Sequence, residues 1–299
     1  MTDANAHLHT PYSFSAFDSV SQALDMAAEE GVKVVGINDF YSLDGYKEWS
    51  EECGRRHLFP LFNIEFISLN VEDQAAGVRV NDPNNPGRTY LSGKGLDYPV
   101  TLSGREARML ADVKAESNAQ VCKMCGKLNS DAAAVENELR GNLLKAGGAA
   151  FVPEDPKAFL PMETVQRIIK AAGGIPTYPF LADDAKGCFT DFEQDLQKCA
   201  DTLKKRGIRS CEFITTRNTT AVLESYAGYL MDEGFVVTFG SEHTPPAMEP
   251  VRLRTRDCAG LSDKLKEINY RGACIVAAHQ NGLETAEEGH EIITKAITK

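Results

Sequence analysis

The chain has 299 residues, of which 42% are hydrophobic and 25% are charged, and its formal net charge is -11. These proportions are typical of globular proteins and argue against an intrinsically disordered chain. Acidic residues outnumber basic ones by 43 to 32, and such an excess repels phosphate backbones, so we expect no nucleic-acid partner.

The N-terminal region has no basic segment followed by an apolar core, and no apolar run approaches the roughly 20 residues that cross a bilayer. We therefore expect a cytoplasmic protein without membrane contact. Several of the eight cysteines lie in apolar runs, where a reduced thiol behaves as a small hydrophobic group. Cys122 and Cys125 have Cys-x-x-Cys spacing, but no second pair lies at zinc-ribbon spacing, so we expect neither a zinc site nor a redox site there.

Along the first seventy residues, short apolar runs alternate with amphipathic segments in the order strand, helix, strand, helix, strand. The predicted strands are NAHLHT, VKVVGIND and LFPLFNIEFISLN, and the predicted helices are SVSQALDMAAEEG and DGYKEWSEECGRR. The first helix has a candidate capping box from Ser19 to Gln22 and a stop at Gly31. We expect the strands on either side of it to be parallel.

The alternation stops after Asn70, where the segment DPNNPGRTYLSGKGLDYP is rich in turn-forming residues. A long polar segment with a helical pattern follows, from about Leu102 to Leu144. We predict a largely helical insertion at about residues 70–163, within a single domain that spans residues 1–299.

The alternation resumes with a helix near residues 162–172, and three more strands are predicted at IPTYPF, RSCEFIT and FVVTFG. The run ACIVAAH is either a seventh strand or a buried helix, because periodicity does not separate the two in so short a run. Polar residues follow nearly every predicted strand. This pattern favours a (β/α) barrel over a doubly wound sheet.

His7 and His9 lie two residues apart on the first predicted strand, so both imidazoles point to the same side of it. Two such rings can hold one transition metal, and carboxylates commonly complete the coordination sphere. In a barrel, the ends of the strands gather at one rim. The polar residues predicted at that rim are Asn38, Asp39, Glu65, Glu212, Glu242 and His243.

Five segments resemble motifs of the PHP (polymerase and histidinol phosphatase) domain family, in the family's order and over most of the chain. HLHTPYS resembles the first motif, GINDFYSLDGY the second, and LFNIEF the strand that carries a ligand glutamate. AAGGIPTYPF resembles the Gly-Gly strand, and TFGSEHTPP resembles the Gly-Ser-Asp-x-His motif. The resemblance implies a distorted (β/α)7 barrel that binds up to three metal ions.

The sequence departs from the family at four positions that usually carry a metal ligand. Phe40, Tyr178 and Thr244 stand where the family has histidine, and Glu242 stands where it has aspartate. We therefore expect a reduced centre with one divalent transition metal, either zinc, manganese or iron, and two ions at most. The ligands that the resemblance implies for the first metal are His7, His9, Glu65 and Glu242.

Other histidines are alternative ligands. Because glutamate is one methylene longer than aspartate, His243 is an alternative to its neighbour Glu242. His279 would join only if its segment ended at the same rim. His57 and His290 are expected on surface helices.

For several further residues the sequence allows either a functional role or a structural one. Asp39 either orients or deprotonates a metal-bound water, or fixes a loop or a histidine ring. Tyr178 either bonds to a substrate or a metal-bound oxygen, or lies at the edge of the core with its hydroxyl satisfied. The cations that an anionic substrate needs, each with a surface role as the alternative, are Arg88, Lys94 and Arg217.

These residues indicate a metal-dependent hydrolase, in the first place a phosphoesterase that acts on a small phosphorylated metabolite. Two alternatives stay open. One is an enzyme that uses its metal on a sugar or sugar acid without hydrolysis. The other is a degenerate PHP-like barrel that binds a ligand or a partner without catalysis.

Overall fold

The computed structural model describes residues 1–125, 150–184, 186–244 and 248–298. Within these residues, seven strands form one sheet in which each strand is hydrogen-bonded to the next one along the chain. The strands are β1 (Asp3–Leu8), β2 (Val32–Phe40), β3 (Phe59–Leu69), β4 (Arg88–Lys94), β5 (Ile175–Phe180), β6 (Ser210–Ile214) and β7 (Val236–Gly240).

The sheet curves into a nearly closed barrel. Strands β1 to β3 are parallel, as are β5 to β7, whereas β4 is antiparallel to both of its neighbours. Beyond β7, the amide of Glu242 donates to the carbonyl of His7, and the carbonyl of Glu242 accepts from the amide of His9, both at 3.0 Å. These bonds link the last strand to the first, and the architecture confirms the predicted distorted barrel.

Helices connect the strands and cover the barrel. They are α1 (Val20–Glu29), α2 (Tyr46–Arg55), α3 (Val71–Ala75), α4 (Gly104–Cys125), α5 (Met162–Ala171), α6 (Leu196–Lys205), α7 (Thr220–Asp232), α8 (Asp263–Gln280) and α9 (Ala286–Ile297). A short 3-10 helix, Thr215–Arg217, follows β6. Among the helices of the described residues, none has both the length and the apolar character needed to cross a bilayer.

The start and end of α1 follow from its sequence. The Ser19 hydroxyl accepts from the amide of Gln22 at 3.1 Å, and Gly31 follows the helix with a left-handed φ of 78°. The Gln22 side chain accepts from the amide of Asp18, so only half of the predicted capping box is formed. The buried residues on one face of α1 are Val20, Ala23, Leu24 and Ala27.

The run ACIVAAH is helical, so of the two alternatives the buried helix is correct. It lies in α8, which packs against β1 and β7 on one side and against α9 on the other. The Ser262 hydroxyl caps the start of α8 by accepting from the amide of Leu265 at 3.3 Å. Because neighbours cover α8 on several sides, its sequence is apolar without a clear helical period.

The seventh strand is β4, which lies inside the predicted insertion. Its sequence RTYLSGK stands among turn-forming residues, but its backbone pairs with β3 and β5 and completes the barrel. The predicted polar helix begins as α4, on which Cys122 is exposed. Its continuation over residues 126–149, like the side chain of Cys125, lies outside the described residues.

Backbone strain is concentrated where strands end. Of the five described non-glycine residues with positive φ, Tyr41 follows β2, Ala182 follows β5, and Glu242 and His243 follow β7, with φ between 50° and 68°. Such conformations cost energy and are common at functional sites. This end of the barrel, the rim, is where the candidate ligands lie.

Candidate metal centre

Three of the predicted ligands converge inside the barrel near the rim. The Nε2 atoms of His7 and His9 are 3.2 Å apart, and Oε2 of Glu65 lies 3.4 Å from the first nitrogen and 3.2 Å from the second. All three side chains are at most 4% exposed. His7 lies on β1 and His9 directly follows that strand, two residues further on. The pairing of Glu65 with Phe40 sets the carboxylate at the end of β2.

The spacing and chemistry of these atoms fit a metal ion. Ligand atoms about 2.0 to 2.2 Å from a tetrahedral ion lie roughly 3.4 Å apart, close to the separations found here. Oε2 of Glu65 is buried, and its polar neighbours are the two imidazole nitrogens, with which it makes no well-aligned hydrogen bond. A buried carboxylate oxygen without a well-aligned partner is costly, and a metal ion would satisfy it. Within the described part of the chain, no other group of three histidine, cysteine or acidic side chains converges in this way.

Glu212 on β6 orients His7. Its Oε2 atom lies 3.1 Å from Nδ1 of His7, at the opposite edge of the ring from Glu65. With the proton on Nδ1, that N–H group donates to Glu212 and the lone pair of the ring lies on Nε2, the atom that would bind a metal. The amide nitrogen of Asn38 lies 3.0 Å from Nε2 and would have to give way to the ion. The hydroxyl of Ser92 on β4 donates to Oε1 of Glu212 at 2.6 Å and fixes the carboxylate in turn.

Lys94 on β4 lies entirely inside the barrel. Its Nζ donates to Oε2 of Glu212 at 2.6 Å, to Oδ1 of Asn38 at 3.1 Å and to the carbonyl of Ala6 at 3.0 Å. These bonds use all three ammonium hydrogens. Lys94 therefore neutralises Glu212 and has no hydrogen left for a substrate in this arrangement.

The buried charges shift one another's pKa values. Burial opposes the charge on His7, but Glu212 and Glu65 outweigh burial and raise the pKa of His7 to about 9. Burial also opposes ionisation of Glu65, yet His7 and His9 lower its pKa to about 2. Lys94 and His7 lower the pKa of Glu212 against the effect of burial. The pKa of Lys94 is lowered because burial outweighs its attraction to Glu212.

Asp39 is buried beside the loop that follows β1. Its Oδ1 accepts from the amide of Thr10 at 2.7 Å and from the hydroxyl of Ser13 at 2.6 Å, while Oδ2 accepts from the hydroxyl of Thr10 at 2.5 Å. Burial raises its pKa, although His9 and these bonds oppose the shift. In this structure Asp39 fixes the loop, which is the second of its two expected roles.

The structure does not bring Glu242 or His243 into the group of converging ligands. The carboxylate of Glu242 forms an ion pair with Arg217, which is itself a predicted substrate-binding residue. The ring of His243 bonds through Nδ1 to the hydroxyl of Ser241 and through Nε2 to the carbonyl of Glu249, both at 2.8 Å. Metal binding by either residue stays a prediction.

Tyr178 is fully buried and holds the turn after β5. Its hydroxyl donates to Oε1 of Glu193 at 2.9 Å, and the amide of Ala182 donates to Oε2 at 2.7 Å. Burial raises the pKa of Tyr178. Burial also raises the pKa of Glu193 to about 8, although the hydrogen bonds that Glu193 accepts act in the opposite direction. Its hydroxyl is satisfied here, as in the structural alternative.

Arg88 lies at the start of β4 and is engaged with the segment before α5. Its guanidinium forms an ion pair with Glu154 at 2.8 Å and lies over the ring of Phe159, 4.7 Å from the centroid. The side chain is only 10% exposed. In this position Arg88 fastens that segment to the barrel.

The remaining histidines lie away from the three ligands. His279 is exposed at the end of α8 and bonds to the carbonyl of Gly173 at 2.7 Å. His57 is exposed just after α2, and His290 is exposed on α9.

Phe14 and Phe40 form an apolar wall beside His9. Their ring centroids lie 5.6 Å and 5.0 Å from that of His9, and the two phenylalanine rings are nearly parallel. The resemblance to the PHP family led us to expect a histidine in place of Phe40, whose ring offers no ligand atom. The wall thus shields one side of His9, whose Nδ1 has no hydrogen-bond partner.

The sequence pattern predicted Glu212 at the rim without a role, and Ser92 was not predicted as a site residue. A glutamate inside the apolar strand SCEFI indicates a buried ion pair, because a buried charge needs a partner. The partners, however, come from β4, which was not predicted as a strand.

No protein-family model matches the chain, and no curated protein matches it. Solved structures with a similar fold include an amidohydrolase from Chromobacterium violaceum that contains bound sulfate and no metal. It is 14% identical with a TM-score of 0.64, and the match covers 89% of this chain and 96% of that one. A Bifidobacterium adolescentis protein assigned as a metal-dependent phosphoesterase is 16% identical with a TM-score of 0.63, over 89% and 95% of the two chains. At these identities the comparison shows a shared fold.

Proposed function

We propose that the protein is a metal-dependent hydrolase that cleaves a phosphate ester of a small metabolite with a single divalent ion. The observation that carries this proposal is the convergence of ligand atoms from His7, His9 and Glu65, all within 3.4 Å of one another. Two imidazoles and one carboxylate are a ligand set of catalytic zinc, which keeps its fourth position open for water or substrate.

The surrounding residues support this chemistry. When bound, a divalent ion lowers the pKa of a bound water toward about 7 and polarises a phosphoryl oxygen. Glu212 accepts the Nδ1 proton of His7 and so keeps Nε2 directed at the other two ligands. Glu65 remains ionised at neutral pH, because its pKa is about 2. Phe14 and Phe40 shield one side of His9 from water, which strengthens electrostatic interactions there.

Arg217 is the cation that favours an anionic substrate. It follows β6 at the rim, and its side chain is 36% exposed, whereas Lys94 is fully buried. A guanidinium binds phosphate through two parallel hydrogen bonds. A phosphorylated substrate therefore finds a positive partner near the three ligands in a protein that is otherwise acidic.

The structural neighbours give independent support for hydrolysis. One is described as an amidohydrolase and the other as a metal-dependent phosphoesterase. The sulfate in the first has the tetrahedral shape of phosphate. A substrate panel for this protein therefore includes phosphomonoesters, phosphodiesters and simple amides.

The first test is elemental analysis of protein purified without chelators. We expect about one equivalent of transition metal, and loss of that metal in His9→Ala. His290→Ala is the matched control, because it removes an exposed imidazole on α9 and should keep the metal. Metal-free wild-type protein would overturn the proposal.

The second test is hydrolysis of the substrate panel, measured as inorganic phosphate released from phosphomonoesters, alcohol released from phosphodiesters and amine released from amides. We expect at least one phosphate ester to be cleaved by the wild-type protein and by His290→Ala, but not by His9→Ala or after chelation. Metal-loaded protein that cleaves no ester and no amide would instead favour the non-hydrolytic alternative.

A further inference from the structure

The ion pair between Arg217 and Glu242 joins two rim residues whose proposed roles exclude each other. Arg217 is the partly exposed cation proposed for an anionic substrate, and Glu242 is a metal ligand that the resemblance to the PHP family implies. While the pair is closed, the guanidinium is bound to the carboxylate, and the carboxylate is not part of the group of three converging ligands. Breaking the pair would release both residues at once.

The backbone of Glu242 is already anchored at the metal centre. Its amide donates to the carbonyl of His7 and its carbonyl accepts from the amide of His9, each at 3.0 Å. The side chain therefore starts beside the backbone of His7 and His9, and to reach the imidazoles the carboxylate must leave Arg217 and change its rotamer. Glu242 and His243 also have left-handed φ values of 68° and 62°, a strain typical of functional turns.

The pair is also open to exchange. The side chains of Arg217 and Glu242 are 36% and 17% exposed, and ion pairs with this much solvent contact contribute little to stability. A phosphate group carries more charge than one carboxylate and offers the guanidinium several acceptor oxygens. Phosphate is therefore a stronger partner for Arg217 than Glu242 is.

We propose that a phosphate group draws Arg217 away from Glu242 and that the released Glu242 then joins His7, His9 and Glu65 as a metal ligand. This inference rests on the proposed function, because it requires a metal at those three residues. The two events make phosphate and metal bind cooperatively. By linkage, each raises the affinity for the other by the same factor, for which we expect about tenfold.

The test is titration of metal-free protein with Mn²⁺, followed by calorimetry, in the presence and absence of inorganic phosphate. In wild-type protein, phosphate should tighten Mn²⁺ binding about tenfold. In Glu242→Gln, the affinity without phosphate should equal that of wild type, and most of the tightening by phosphate should disappear.

Arg217→Gln gives the decisive result, because loss of a residue proposed to bind substrate should increase metal affinity. Without Arg217, Glu242 is free, so Mn²⁺ should bind about as tightly as it binds wild type with phosphate, and added phosphate should have little effect. The double variant Arg217→Gln/Glu242→Gln distinguishes binding of Mn²⁺ by the released Glu242 from an effect of removing one positive charge. If the tightening acts through Glu242, it disappears in the double variant.

Two outcomes would overturn the inference. The first is that phosphate tightens Mn²⁺ binding by the full factor in Glu242→Gln. The second is that Arg217→Gln does not raise the affinity for Mn²⁺, or that the rise remains in the double variant. Either result leaves the proposed function standing, since the metal still binds. Wild-type protein that binds no Mn²⁺ removes the proposed function and this inference together.

Discussion

The Nε2 atom of His7 is where a proton and a metal ion compete. In the metal-free protein, burial lowers the pKa of His7 but Glu212 and Glu65 outweigh burial and raise it to about 9. Below that pH the ring carries a second proton, which a metal must displace. We predict that metal affinity rises about tenfold per pH unit from pH 7 to 9 and levels off above pH 9.

Calorimetry in buffers of different ionisation enthalpy checks this directly. About one proton should be released per bound metal at pH 7, and the release should fall toward zero at pH 10. An affinity that does not change between pH 7 and 9 would show that no proton occupies the metal-binding atom of His7.

The buried pair of Lys94 and Glu212 predicts a specific pattern of stability. In Lys94→Met, Glu212 keeps its charge in the barrel interior without the ammonium that lies 2.6 Å away, so we expect a loss of about 3–5 kcal/mol in the free energy of unfolding. Adding Glu212→Gln removes the uncompensated charge and should recover a large part of that loss. Urea unfolding of both variants measures the difference.

The matched control is Lys47→Met, which breaks the exposed pair with Glu51 on α2. Because Lys47 is 81% exposed, its loss should change stability by less than about 1 kcal/mol. A double variant no more stable than Lys94→Met would mean that the lysine acts through packing rather than charge.

At this scale, spacing and chemistry predicted part of the candidate site. His7 and His9 were recognisable as alternating imidazoles, and Glu65 as a carboxylate inside an apolar strand. The Lys94 and Glu212 pair was not predictable, because it forms across the barrel between strands far apart in sequence. The Arg217 and Glu242 pair depends on the left-handed turn after β7, which no residue type there signalled.

At the scale of elements, the junction of β7 with β1 places His7. A methyl group on Gly240 would lie 2.2 Å from Cβ of His7 and 3.0 Å from its Cα, so β7 approaches β1 this closely only because glycine stands there. We predict that Gly240→Ala lowers stability by about 1–3 kcal/mol and weakens metal binding, because it displaces His7. Urea unfolding and metal titration check the two effects.

Gly54→Ala on α2 is the control for this substitution, since a methyl group there meets no atom within 4 Å. It should leave metal binding unchanged and raise stability by up to roughly 1 kcal/mol, as alanine favours the helix. If Gly240→Ala behaves in the same way, the close contact between β7 and His7 does not determine the position of the ring.

Elements with a regular pattern were predictable, and β4 was not. Alternation of apolar and amphipathic segments located six strands, and the helix alternative for ACIVAAH follows from how α9 covers α8. Strand β4 is held by antiparallel pairing with β3 and β5 rather than by its own sequence. Because turn-forming residues surround β4, the sequence pattern did not predict this strand, which supplies Ser92 and Lys94.

At the scale of the whole molecule, the barrel gathers residues from distant parts of the chain at one site. Strand β1, the residue that follows it and strand β3 supply the three converging ligands, and β4 and β6 supply the pair that orients His7. The order of strands and helices was sufficient to predict a barrel, because such repeats close in few ways. Which rim side chains point inward depends on turns and cross-strand contacts that sequence pattern does not specify.

The most direct test of the account is anomalous scattering from crystals of the wild-type protein grown with zinc or manganese. We predict one strong peak in the barrel interior, about 2.0 to 2.2 Å from Nε2 of His7, Nε2 of His9 and a carboxylate oxygen of Glu65. A peak elsewhere, or none at these three residues, would contradict a metal centre in this barrel.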